Sequence, residues 1–220
     1  MTLRKRKQAP RLMSHPPMRP PVAGFGCNLG DPSTFDTIRF YDYSYDPAQQ
    51  GIGHRHWDFG DGGSAAGRAP EHRFAADGEY TVMLTASTPD GRSTSSSSSL
   101  CVRTHDVSIS RFEAPSVCRA GEALDVVVGV ASTRYDEMVE VQLLRSKPGE
   151  LVSFEQVDRV TAVVSAAGTA GPTCVKLRVT FSDDDAAAGT ANLKAVVSIL
   201  GARDASPDDN TALASIRIAS

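Results

Sequence analysis

The stretch Trp57-Asp58-Phe59-Gly60-Asp61-Gly62 constrains this chain more than any other. Trp57 and Phe59 stand two apart, so in an extended strand they face one side and Asp58 faces the other. Gly60-Asp61-Gly62-Gly63 then has to turn, because Gly and Asp accept positive φ. The pattern is a buried strand that ends in a tight acidic turn. Trp57 is the single Trp of the chain and is expected to anchor a core.

The neighbours make the stretch more specific. Ile38 and Phe40 alternate upstream, followed by Ser44 and Asp46-Pro47. Downstream come Pro70, His72 and Phe74, then Gly78, Tyr80, Val82 and Leu84, then Asp90-Gly91. In that order the elements resemble a polycystic-kidney-disease (PKD) repeat, an immunoglobulin-like β-sandwich with a W-D-F-G-D-G core. The resemblance spans residues 20–103. It implies a sandwich whose structural core motif is Trp57, Asp58, Phe59, Gly60, Asp61, Gly62, His72, Phe74 and Tyr80. It also implies a non-catalytic habit, and it names no ligand.

A chain of 220 residues is longer than one such sandwich needs and suits two domains of about 100 residues. From Asp106 on, short apolar-alternating segments follow one another: Val107 to Phe112, Leu124 to Val130, Val139 to Leu143, Val160 to Val164, Val175 to Phe181, Leu193 to Ile199 and Ala212 to Ile218. About seven strands with turns between them predict a second sandwich, and no long window has a helical period. This half resembles the bacterial cell-adhesion-related domain (CARDB) through Asp106-Val107, Gly121-Glu122 and Asp204 with Asp208-Asp209-Asn210. The expected fold is all-β: two tandem immunoglobulin-like β-sandwiches, 20–103 and 106–220, behind an extended N-terminal arm. The serine run Ser93 to Ser99 reads as the last strand of the first domain, since Asp90-Gly91 supplies a turn and Leu100 and Val102 continue the alternation.

Charge is uneven along the chain. Arg4, Lys5, Arg6, Lys7, Arg11 and Arg19 occupy the first 19 residues, and the first acid is Asp31. The other 17 Lys and Arg face all 26 acids, so a basic arm precedes an acidic body. The arm holds Pro10, Pro16 and Pro17, with Pro20-Pro21 directly after it, and has no apolar period. Two readings stand: an arm that docks on an acidic partner or neighbouring copy through those six cations, or a solvated tail. No apolar segment follows the basic start, so synthesis in the cytoplasm without a signal peptide is expected. No apolar run is long enough to span a membrane.

The four cysteines have no C-x-x-C spacing, which argues against a zinc ribbon. In the sandwich that the resemblance implies, Cys27 falls on the first strand and Cys101 on the last. Such strands often run side by side, so a Cys27–Cys101 disulfide is one reading and two small apolar side chains the other. His54 and His56 share one face of a strand, yet no third ligand is evident. Asp46, Asp61 and Asp90 sit in turns and could offer calcium its oxygens. The plainer reading is that each caps its own turn, so no cofactor is expected. No nucleophile, metalloprotease or phosphate-loop motif is present.

A non-enzymatic structural or interaction protein follows. A surface role on a bacteriophage virion, as capsid decoration or tail appendage anchored by the arm, fits a protein made in the cytoplasm. Its partners would then be protein: a capsid, tail or filament and neighbouring copies, with a glycan or cell-surface ligand on the outside. The alternative is a bacterial adhesin-like protein or a carbohydrate- or calcium-binding accessory module.

Overall fold

The computed structural model describes residues 19–167 and 171–219. The arm cations Arg4, Lys5, Arg6, Lys7 and Arg11 therefore lie outside the described residues, and only Arg19 of that set falls within them. The fold is all-β, with two immunoglobulin-like sandwiches. Two compact units divide the chain: 19–29 with 37–72 and 79–100, and 30–36 with 73–78 and 101–219.

The first seven strands are β1 (Phe25–Cys27), β2 (Ile38–Asp42), β3 (His54–Asp58), β4 (Ser64–Ala66), β5 (Glu71–His72), β6 (Gly78–Ser87) and β7 (Ser93–Val102). They form a three-stranded sheet β1-β2-β5 and a four-stranded sheet β4-β3-β6-β7. Alternation decides which side chains enter. Ile38 and Phe40 of β2 are buried, as are Trp57 of β3 and Val82, Leu84 and Ala86 of β6. The serine run does form a strand, β7, and Thr85 and Ser95 join their hydroxyls at 2.7 Å across the exposed face of β6 and β7.

The second series comprises β8 (Val107–Glu113), β9 (Val117–Arg119), β10 (Ala123–Ser132), β11 (Glu137–Lys147), β12 (Glu150–Val164), β13 (Thr173–Thr180), a short helix α1 (Asp183–Ala188), β14 (Thr190–Ile199) and β15 (Thr211–Ala219). Sheet β13-β10-β8 faces sheet β12-β11-β14-β15-β9. Their inner rows are almost entirely Val, Leu, Ile and Ala, with Phe181 the one fully buried aromatic among the described residues of this core.

Two local features depart from the sequence reading. Asp183-Asp184-Asp185 opens a helix between two strands, where no helix was expected. Ser182 caps it by accepting the Asp185 N–H, and the Asp185 carboxylate accepts the Ser182 N–H at 2.7 Å. That reciprocal cap, with acids at the helix N-terminus, makes one helical turn favourable without any apolar period. The second feature is β9, three residues long, which pairs in parallel with β15. A strand that short carries no pattern to read.

Candidate functional site

The tryptophan motif builds a rigid platform. Trp57 is fully buried, and its indole Nε1 donates to the Gly67 carbonyl at 2.9 Å. Phe25 meets it edge-on at 5.3 Å between centroids, and Phe40 lies 5.8 Å away. Phe59 packs on Phe40 at 5.2 Å and stacks on the His72 ring at 4.0 Å, nearly parallel. His72 Nε2 in turn meets Asp61 Oδ2 at 2.7 Å, and Asp61 Oδ1 accepts the Gly63 N–H at 2.8 Å. Burial pushes the Asp61 carboxyl up, but the hydrogen bonds from His72 and Gly63 outweigh it and hold the group below the usual range. Asp58 Oδ1 accepts the Gly60 N–H at 2.9 Å. Gly60 has φ 80°, and a Cβ there would stand 2.7 Å from the Thr81 carbonyl oxygen, so only glycine fits. The structure thus brings Trp57, Asp58, Phe59, Gly60, Asp61 and His72 together as one structural cluster. Phe74 is buried, Gly62 is exposed, and Tyr80 is only half-buried.

The turn carboxylates are already occupied. Asp46 is gripped by Arg92 through two bonds, 2.9 Å to Oδ1 and 3.0 Å to Oδ2, and also accepts the Ala48 and Gln50 N–H groups. Those bonds, the Arg92 pair first, hold the Asp46 carboxyl down to about 2. The same guanidinium binds Asp90 through Nε at 2.9 Å and donates to the Arg19 carbonyl. Where a calcium ion would sit between Asp46 and Asp90, a guanidinium sits instead. Asp61 faces His72, so the three acids form no common site. His54 and His56 are exposed on β3, whereas His72 belongs to the other sheet. Among the described residues, no three His, Cys, Asp or Glu side chains gather to hold a metal ion.

The Cys27–Cys101 disulfide is not formed; both are free thiols. Cys27 lies on β1 and Cys101 on β7, in different sheets, and both side chains face solvent. Cys27 Sγ donates instead to the Leu29 carbonyl at 3.2 Å.

What the first sandwich offers to a partner is an aromatic strip beside β1 and β2. Tyr43 is 65% exposed and Tyr45 58%, with Val22 beside them at 42%. Val22 and Tyr45 exchange backbone hydrogen bonds at 2.8 and 3.0 Å. A Cβ on Gly26 would stand 3.3 Å from Tyr43 Cε2 and 3.4 Å from its Oη, so the tyrosine ring lies against the bare glycine backbone. That contact fixes the ring while leaving its outer side to solvent. Tyr41 is half-buried under the Arg39 guanidinium, 5.8 Å from its centroid. The role of Gly26 has no sequence signature.

In the second series, Asp106 is a buried acid whose Oδ1 has no hydrogen-bond partner among the described residues. Burial first, then the charges of Asp204 and Asp209, push its carboxyl up. In the sequence Asp106 stood out only with Val107 as part of the CARDB resemblance, and nothing there marked it as a buried acid.

Comparisons with known proteins agree with this description. Residues 21–102 match the family model of the PKD domain. The fold is similar to the PKD1 domain of Epp from Vibrio anguillarum, at 25% identity over 40% of this chain and 98% of that one, with a TM-score of 0.36. The PKD1 domain of the metalloprotease PrtV from Vibrio cholerae matches at 27% identity, over 39% and 100%, with a TM-score of 0.35. A CARDB domain from Pyrococcus furiosus matches at 11% identity, over 53% and 94%, with a TM-score of 0.40. No curated protein sequence matches the chain. No helix among the described residues is long and apolar enough to cross a membrane.

Proposed function

We propose that the chain is a non-enzymatic structural and interaction protein, two sandwich domains displayed on a surface and held there by the N-terminal arm. The observation that carries this reading is the exposed strip of Val22, Tyr43 and Tyr45 on a PKD sandwich. Tyrosine gives large, amphipathic contact area at low entropic cost, which is why it is enriched at interfaces. The finer setting is a bacteriophage virion, as capsid decoration or tail appendage. Six cations ahead of an acidic body support it, because such an arm can lie on an acidic shell or on a neighbouring copy. The test is copurification with particles at rising salt, for the full chain and for a chain lacking 1–18. Attachment is expected to need the arm and to weaken with salt, as screening over about 8 Å requires at physiological strength. Equal attachment of both chains at all salt concentrations would refute the anchoring role.

A second reading, a glycan-binding adhesin-like module, is favoured by one feature: the Tyr43 ring is backed by Gly26 and open on its other side, a surface on which a sugar ring can stack. Tyr43→Ala should abolish retention on the cognate glycan while the melting curve stays near that of the parent.

A further inference from the structure

The tyrosines of β2 and its extension stand in a cleared lane. On one side β1 sets Gly26 opposite Tyr41, and the Tyr43 N–H donates to the Gly24 carbonyl at 2.8 Å. On the other side the Phe40 and Asp42 N–H groups donate to the Pro70 and Arg68 carbonyls, which sets Ala69 opposite Tyr41. Side chains of a strand normally stand upright and shield one another's ring faces. Here the neighbouring backbone offers glycine and alanine, so the Tyr43 ring lies over Gly26 and keeps one face clear. Tyr45 continues the row on the same side, two residues on.

The lane has a polar end. Arg39 pairs across the sheet with Glu71, but its guanidinium leans over the Tyr41 ring, 5.8 Å from the centroid. Asn28 is exposed beside it, and its Oδ1 accepts the Arg39 N–H at 2.8 Å, which leaves its NH2 to donate elsewhere. These three side chains supply donors and acceptors at fixed places, and their charges cancel. From Arg39 to Tyr45 the lane runs roughly 20 Å, at about 3.3 Å per residue, which is too long for one sugar ring.

These features choose among glycans. A sugar stacks on an aromatic face when its hydroxyls are equatorial, because its axial C–H groups then form an apolar plane. An equatorial linkage keeps successive rings in one flat ribbon, as a straight lane requires. An acidic body repels a polyanion, and the polar end offers no surplus positive charge to attract one. We infer that this face binds a neutral, linear, β-linked polysaccharide. Its rings stack along Tyr43 and Tyr45, and its hydroxyls are held by Arg39, Glu71 and Asn28. The inference rests on the glycan reading of the strip and specifies its ligand class.

Native electrophoresis of the full chain through gels containing polysaccharide tests it. Hydroxyethylcellulose and glucomannan are neutral and β-linked, carboxymethylcellulose is β-linked and acidic, and dextran is neutral and α-linked. The first two should retard the chain more than the others. Gly24→Leu is the sharpest variant: a Cβ there meets nothing within 4 Å, so the fold accepts it while leucine fills the lane. It should remove the retardation and leave the melting curve unchanged. Arg39→Ala should weaken binding by about tenfold, as loss of a charged hydrogen-bond donor does. Stronger retardation by carboxymethylcellulose or dextran would overturn the neutral, β-linked class and keep the glycan reading. Retardation that Gly24→Leu and Arg39→Ala leave intact would overturn the lane as the site. Retardation by none of the four would overturn the inference and the glycan reading together, and leave the strip as a protein contact. Neither the arm nor particle attachment enters these outcomes, so the anchoring reading is tested separately.

Discussion

The two sandwiches solve the same packing problem with different side chains. The first gathers Trp57, Phe40 and Phe59 around one tryptophan, with Phe25 against the indole and a stacked His72 tied to an acidic turn. The second fills its interior with rows of valine and leucine and, among the described residues, a single fully buried phenylalanine. Aromatic rings are large and few, so each has one place to fit and the sequence around it is constrained. Aliphatic rows are small and interchangeable, since volume-conserving swaps cost little. One core is therefore recognisable as a particular family, and the other mainly as a kind of fold.

The comparison can be broken by substitution. Trp57→Ala should cost about 3–5 kcal/mol, because it removes the ring that Phe25 and Phe40 pack against. Urea unfolding followed by far-UV circular dichroism measures it. A loss below about 1 kcal/mol would show that the aromatic cluster is not the keystone described. In the aliphatic core, Leu143→Ala should cost about 2–4 kcal/mol, and Leu143→Met much less. If the methionine variant were as damaged as the alanine one, the valine-rich core would be as exacting as the aromatic one.

Charge separates the two regions in opposite directions. The Asp46 carboxyl is held down to about 2 in the folded protein, against an unfolded value of about 3.9. Its contribution is complete above the unfolded value and is lost as pH falls through the folded one. Unfolding reported by Trp57 fluorescence should thus become easier from about pH 4 down to about pH 2, and Arg92→Ala should flatten that dependence. Asp106 has the contrary sign. Its carboxyl is pushed up, so the folded state binds its proton more tightly than the unfolded one, and stability from this group falls as pH rises through that window. Asp106→Asn should raise the melting temperature at neutral pH by about 2–4 °C, the shift about 1 kcal/mol gives in a chain of this size. A lowered melting temperature would mean that the charge itself is needed.

Much of this could be read along the chain. The two-residue spacing of Trp57 and Phe59, the alternation of Ile38 and Phe40, and the glycines of the turn each state a local requirement that neighbouring residues satisfy. So does the strand identity of the serine run, because Leu100 and Val102 keep its period. What escaped depended on partners distant in sequence or on elements too short for a period. Helix α1 rests on one reciprocal cap, and β9 on three residues beside β15. The Asp46–Arg92 pair joins residues 46 apart in the chain. Its geometry turned a cation-site candidate into an internal ion pair.

By itself, then, the sequence determined the all-β class, the resemblance of residues 20–103 to a PKD repeat, the inward residues of most strands and the contrast between a basic arm and an acidic body. These follow from periodicity and composition, which act within a few residues. Only the tertiary structure decided that Cys27 and Cys101 belong to different sheets, that Gly26 backs Tyr43, that Asp106 has an oxygen with no partner among the described residues, and that β7 ends its sheet. Each of these depends on which strands become neighbours, and that is set by packing the whole chain, because no single segment can bury its apolar face alone.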